Sequence, residues 1–154
     1  MKILIAVDSS ELSHHAAEVA KQLFPSANHI LLSTATASPY LLPEPFGSGG
    51  YTVLPTAAEL ASSEIIAERA AKDANEVFNG SAEELIDSGD PGRIICEQAK
   101  ALKADVVVVG RGHKNWLSRL FAPSVSEYVI AHAPCPVVVV REDDHETTPD
   151  TSGV

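Results

Sequence analysis

Within the ten positions from Gly110 to Arg119 the chain places two glycines, Gly110 and Gly112, and three cations, Arg111, Lys114 and Arg119, with His113 between them. Ser124-Val125-Ser126-Glu127 follows with the spacing of a capping box, in which the Ser124 hydroxyl accepts from the Glu127 backbone N–H and Glu127 reaches back. A glycine loop that ends in a capped helix gathers unpaired N–H groups and the positive end of a helix dipole. That combination suits an anion or a phosphate. The alternative for the Arg111 to Arg119 cluster is a solvated charged loop. Asp8 is the second candidate, standing after the apolar run Ile3 to Val7 and before Ser9-Ser10. It can cap the next helix or present a carboxylate to a ligand, since caps and ligand crevices coincide at such positions.

Other chemistry finds little support. His14 and His15 are helix neighbours that cannot share a face, and His29, His113, His132 and His145 are scattered, so no metal site is expected. Ser118, Ser124 and Ser126 have no His and acid in a nucleophile arrangement, and Gly-x-Ser-x-Gly is absent. Trp116 reads as a packing residue. Cys96 and Cys135 lie 39 positions apart with no Cys-x-x-Cys pair, as for reduced thiols without a structural role.

The elements that must hold these residues alternate. Ile3 to Val7 and Asp105 to Val109 are continuous apolar runs suited to parallel strands covered on both faces, and Val137 to Val140 is another. His29 to Thr34 and Glu84 to Asp87 complete five strands. The helix after Asp8 carries an apolar stripe of Leu12, Ala16, Val19, Ala20 and Leu23. A longer, alanine-rich one runs from Pro55 to about Phe78, with Ala58, Ala61, Ile65, Ala70, Ala74 and Val77 inward and Asn79-Gly80 as its stop. Ser88-Gly89-Asp90-Pro91-Gly92 turns into a third, with Ile95, Ala99 and Leu102 buried, and a fourth begins at Ser124. Ala35 to Thr52, with three prolines, three glycines and three aromatics, shows neither period and reads as a loop long enough to be a lid. Strands alternating with helices imply an α/β, doubly wound parallel sheet with helices on both faces, and a ligand crevice outside the carboxyl ends of its strands.

A chain of 154 residues, 45% hydrophobic, supports one core and one domain. Its net charge of −10 disfavours a nucleic-acid backbone or an anionic membrane as partner. No apolar run reaches spanning length and the Ile3 to Val7 run is too short for a signal peptide, so a cytoplasmic location is expected. Residues 142–154 hold five acids and a single apolar residue, Val154, and read as a disordered tail beyond a domain at 1–141.

These segments, taken together, resemble the universal stress protein family. The resemblance rests on Ile5-Ala6-Val7-Asp8 followed by Ser and Glu, Gly89-Asp90-Pro91, Ala104-Asp105 into a valine strand and Gly110, Leu117-Ser118-Arg119-Leu120, Ser124 to Val129, and His132 to Arg141. It implies a five-stranded sheet in the order 3-2-1-4-5, dimerisation through the last strand (Val137, Val138, Val139, Val140) and, in one branch, ATP in the crevice. It further implies Asp8 beside a ribose or metal, Ala6 and Thr34 beside an adenine, and Gly110, Gly112, Ser124, Val125 and Ser126 around phosphates. That branch carries Gly-x-x-Gly, nine residues, then Gly-Ser or Gly-Thr. Here Gly110 and Ser124 stand in place, but His113 and Pro123 occupy the second and third glycine positions. Pro123 has no N–H to offer a phosphate and fixes its own φ. Weak binding of ATP or AMP is therefore expected, with Mg if ATP binds, Arg111 contributing attraction. The implied function is a non-catalytic stress-response protein; the alternatives are a nucleotide-independent interaction module and, below both, an ATP-hydrolysing enzyme.

Overall fold

A computed structural model of the chain describes residues 1–37, 40–42, 51–111 and 125–141. Its strands are β1 (Lys2–Val7), β2 (Asn28–Ala35), β3 (Tyr40–Leu42), β4 (Tyr51–Val53), β5 (Glu83–Ser88), β6 (Val106–Arg111) and β7 (Val137–Arg141). The helices are α1 (Glu11–Leu23), α2 (Ala57–Asn75), α3 (Pro91–Leu102) and α4 (Val125–His132). Five strands form one parallel sheet in the order β5-β2-β1-β6-β7, which is 3-2-1-4-5 when only its own strands are counted.

The continuous apolar runs follow from burial on both faces, because successive side chains of a strand point to opposite sides. Ile3, Ile5, Leu31 and Val108 meet Ala16, Ala17 and Ala20 of α1 and Ala71 and Ala74 of α2 on one face. Leu4, Ile30, Leu32, Val107 and Val109 meet Ile94, Ile95 and Ala99 of α3 and Val129 of α4 on the other. Burying each Val, Leu or Ile contributes about 1.5 to 3 kcal/mol. A polar residue at any of them would break the corresponding layer.

Several expectations need correction. Ala35 to Thr52 is not loop throughout: Tyr40–Leu42 pairs antiparallel with Tyr51–Val53, Leu41 opposite Thr52, as a separate two-stranded ribbon. The α2 helix starts at a capping box rather than at Pro55, with the Glu59 N–H donating to Thr56 Oγ1 and the Thr56 N–H donating to Glu59 Oε2 at 2.7 Å. Its buried stripe begins only at Ala67. Ala58 and Ala61 are exposed and Ile65 is 62% exposed, whereas Ala70 and Ala74 are inside as expected. The helix gives way to a 3-10 turn, Glu76–Phe78, closed by Asn79 and Gly80 at φ 53° and 74°. On α1 the stripe holds except at Leu23, which is 56% exposed. The expected cap Ser124, the Leu117 to Leu120 segment with Trp116, and the tail 142–154 lie outside the described residues.

Candidate functional site

The strand order reverses between β1 and β6, and helices α1 and α3 leave on opposite faces, so the carboxyl ends of β1, β2 and β6 border a crevice. It encloses about 260 Å³. β1 contributes Ala6 and Val7, with Asp8 just beyond; β2 contributes Leu32 and Thr34, with Thr36 just beyond; and β6 contributes Val109 and Gly110. Ser10, Leu12 and Ser13 close it from α1, Pro91 and Ile95 from α3, and Val125 from α4.

Each wall has a local cause. Asp90 caps α3, accepting from the Arg93 N–H at 2.9 Å with Pro91 in the first turn, which brings Pro91 and Ile95 to the rim. Gly92 lets α4 approach, since a Cβ there would lie 2.8 Å from Tyr128 Cδ1. Gly110 has an equivalent packing duty. A Cβ on it would sit 2.8 Å from Leu12 Cγ, so the glycine lets α1 lie close over the end of β6.

Asp8 is not the cap of α1. Ser10 is, its Oγ accepting from the Ser13 N–H at 3.2 Å. Asp8 lies one step outside: its Oδ1 accepts from the Ser10 N–H at 2.8 Å and from the Ser10 hydroxyl, and its own N–H donates to Ser13 Oγ at 2.8 Å. The carboxylate is thereby held at the crevice mouth.

Five of the residues singled out from sequence thus meet at one cavity: Ala6, Asp8, Thr34, Gly110 and Val125. Arg111 and Ser126 do not line it. The Arg111 guanidinium pairs with Glu127 at 3.2 Å, tying β6 to α4, and Ser126 is 3% exposed. Gly112 and Ser124 lie outside the described residues, as do His113 and Pro123. Sequence reasoning missed Ser13 as a lining group. The available signal was its spacing of three from Ser10, which puts the two hydroxyls on one side of the first helical turn.

Elsewhere the titratable groups have structural surroundings. Cys96 and Cys135 are free and half-buried, and burial pushes both thiols up. Burial pushes the His29 imidazole below its ordinary value, against an opposing pull from the Phe24 and Ala20 carbonyls; Nε2 has no hydrogen-bond partner among the described residues, and the ring lies 4.5 Å from that of Phe78. Among the described residues no group of three His, Cys, Asp or Glu is placed to hold a metal, and no helix is long and apolar enough to cross a membrane.

The family model described as "Universal stress protein family" matches residues 1–141. A universal stress protein of Methanocaldococcus jannaschii is 31% identical over 150 residues, covering 94% of this chain and 84% of that one. A universal stress protein A-like protein of Arabidopsis thaliana is 34% identical over 68 residues, 44% of this chain, and there the match spans only 39% of the relative's length. Among solved structures, a universal stress protein in complex with cAMP superposes with a TM-score of 0.66 at 21% identity, covering 91% of this chain and 96% of that one. The Archaeoglobus fulgidus protein in complex with dAMP gives 0.59 at 19% identity, covering 91% and 97%. An Arabidopsis thaliana family protein with AMP bound gives 0.58 at 19%, covering 97% of each chain. The sheet order, the crevice at its switch point and a family match across residues 1–141 agree: the chain belongs to the universal stress protein family.

Proposed function

We propose that the crevice binds an adenine nucleotide, a monophosphate in preference to ATP, and that the protein is a non-catalytic, nucleotide-responsive stress protein of the cytoplasm, working as a homodimer joined along Val137, Val138, Val139 and Val140. The observation that carries the reading is the cavity itself. Its volume of about 260 Å³ lies near the lower bound of small-molecule sites, and its walls are apolar apart from a few convergent polar groups. Backbone at Ala6 and Thr34 is suited to an adenine edge, and Asp8 to a ribose hydroxyl. Three structural neighbours hold cAMP, dAMP and AMP, which supports the ligand class. The preference for a monophosphate follows from Pro123 and His113. One lacks the N–H that a phosphate cradle uses, and the other adds bulk where the motif has glycine. Each missing charge-assisted hydrogen bond costs about 1.5 to 3 kcal/mol, or roughly one to two decades of affinity.

Asp8 is the sole titratable side chain among the described residues lining the crevice. One carboxylate does not supply the paired acid and base, or the metal cluster, of phosphoryl-transfer sites. Isothermal titration with AMP, cAMP and ATP, the last with and without Mg, tests the proposal. AMP or cAMP should bind at least about tenfold more tightly than ATP, with no nucleotide hydrolysed over hours. Tight ATP binding that is insensitive to salt, or steady turnover, would refute the preference and the non-catalytic reading respectively.

A further inference from the structure

The hydrogen-bond bookkeeping around Asp8 leaves one donor and one acceptor unspent at the same spot. Ser13 Oγ accepts the Asp8 N–H at 2.8 Å, which engages one of its two lone pairs, while the hydroxyl proton has no acceptor among the described residues. Ser13 is 5% exposed yet lines the crevice. Asp8 Oδ1 accepts twice from Ser10, from its N–H and its hydroxyl, and Oδ2 has no partner among the described residues. An ionised carboxylate can only accept, and the Ser13 hydroxyl still has its proton to donate.

Neighbouring donor and acceptor groups fit a ligand group that does both, and the common one is a hydroxyl. A phosphate oxygen would satisfy Ser13 but be repelled by Asp8. An amino group would satisfy Asp8 and leave the Ser13 proton unpaired, which is costly for a group that is 5% exposed. Resting on the reading of the crevice as an adenine-nucleotide site, we propose that Ser13 reads a ribose hydroxyl, donating to its oxygen while Asp8 accepts its proton, with Ser10 as the positioning residue that fixes the carboxylate. A site built around a ligand hydroxyl rejects the analogue without it, because the proton of the 5% exposed Ser13 is then left without an acceptor.

The test is calorimetric titration of the full chain with AMP, 2′-deoxy-AMP and 3′-deoxy-AMP. Wild type should bind one of the deoxy analogues at least about tenfold more weakly than AMP, the loss expected for one hydrogen bond to a charged group. Ser13→Ala should weaken AMP and shrink that ratio to about threefold or less, with Ser13→Thr, which keeps the hydroxyl, restoring it. Ser10→Ala should shrink the ratio less, since it frees the carboxylate without removing it. Thermal midpoints of all variants separate loss of binding from loss of fold. If Ser13→Ala does not fold, the wild-type and Ser13→Thr comparisons still decide. Equal affinity of wild type for all three nucleotides, or a Ser13→Ala effect that is the same for each, overturns the proposal while leaving the nucleotide site standing. Failure of wild type to bind any of them at millimolar concentration overturns both.

Discussion

The two edges of the sheet are built on opposite principles. On β5, Glu83 and Glu84 are exposed and Asp87 is half-buried, so three carboxylates stand along a strand of six residues. The approach to that strand is pinned from below. Asn75 Nδ2 donates to the Ala82 carbonyl at 3.0 Å and to Glu84 Oε1 at 2.6 Å, its Oδ1 accepts the Ala82 N–H at 3.0 Å, and Gln98 Nε2 donates to Asp87 Oδ2 at 2.8 Å. On β7 the residues are four valines and Arg141; Val137, Val138 and Val139 are half-buried and Arg141 is exposed at the end. Carboxylates along an unpaired edge repel a second chain, whereas an apolar edge invites one. A sheet with one guarded edge and one open edge can add a single two-fold partner and then stop, which gives a closed dimer rather than a fibre.

The strongest way to break this asymmetry is to guard the open edge as well. Val138→Lys should convert the protein to monomers in sedimentation velocity at micromolar concentration, and a wild type already monomeric there would remove the basis for the dimer. Loosening the guarded edge comes next. Asn75 is 5% exposed, and Asn75→Ala leaves both backbone groups of Ala82 without their partners, so a loss of about 2 to 3 kcal/mol is expected in urea unfolding. A change under about 0.5 kcal/mol would mean that water replaces the amide without penalty.

The smallest effect concerns His29, 8% exposed and packed at a tilt of 33° against Phe78 where the 3-10 turn leads to β5. Its folded value lies below the ordinary 6.5, chiefly through burial, so the unfolded chain takes up the proton first. The stability it contributes is complete above that ordinary value and is lost as pH falls through it toward the folded value. One proton gives at most about 1.4 kcal/mol per pH unit. His29→Phe should flatten the acid limb of a stability profile between pH 7 and 5 by no more than that slope. An unchanged limb would show that the imidazole escapes to water when it charges.

How much of this was legible in the sequence depended on how many residues carried each signal. The runs Ile3 to Val7 and Val137 to Val140 announce strands because several consecutive β-branched residues point to both faces of a covered sheet, and the sheet order came with the family resemblance. β3 and β4 stayed hidden, since three residues are too few to display alternation and prolines and glycines surround them. In α2, alanine is as compatible with solvent as with a core, so Ala58 and Ala61 fit an inward stripe as well as an outward one; what lies beneath decided it. Asp8, Ser9 and Ser10 are all competent caps by type. Backbone geometry chose Ser10, at φ −87° and ψ 154°, and that choice released Asp8 to the crevice. Asp8 is legible from its place after the Ile3 to Val7 run and Ala6 and Thr34 from the resemblance, while the signal for Ser13, a spacing of three from Ser10, has meaning only once Ser10 is known to be the cap.

The contact between Gly110 and Leu12 bears on how such chains are to be told apart by inheritance. Bulk can sit at position 12 or at position 110, but not at both while α1 keeps its distance from β6. A lineage that abandoned its ligand would therefore still retain this glycine for as long as it retained the leucine. The packing of α1 alone is thus enough to keep Gly110 a glycine, whether or not a phosphate lies beside it.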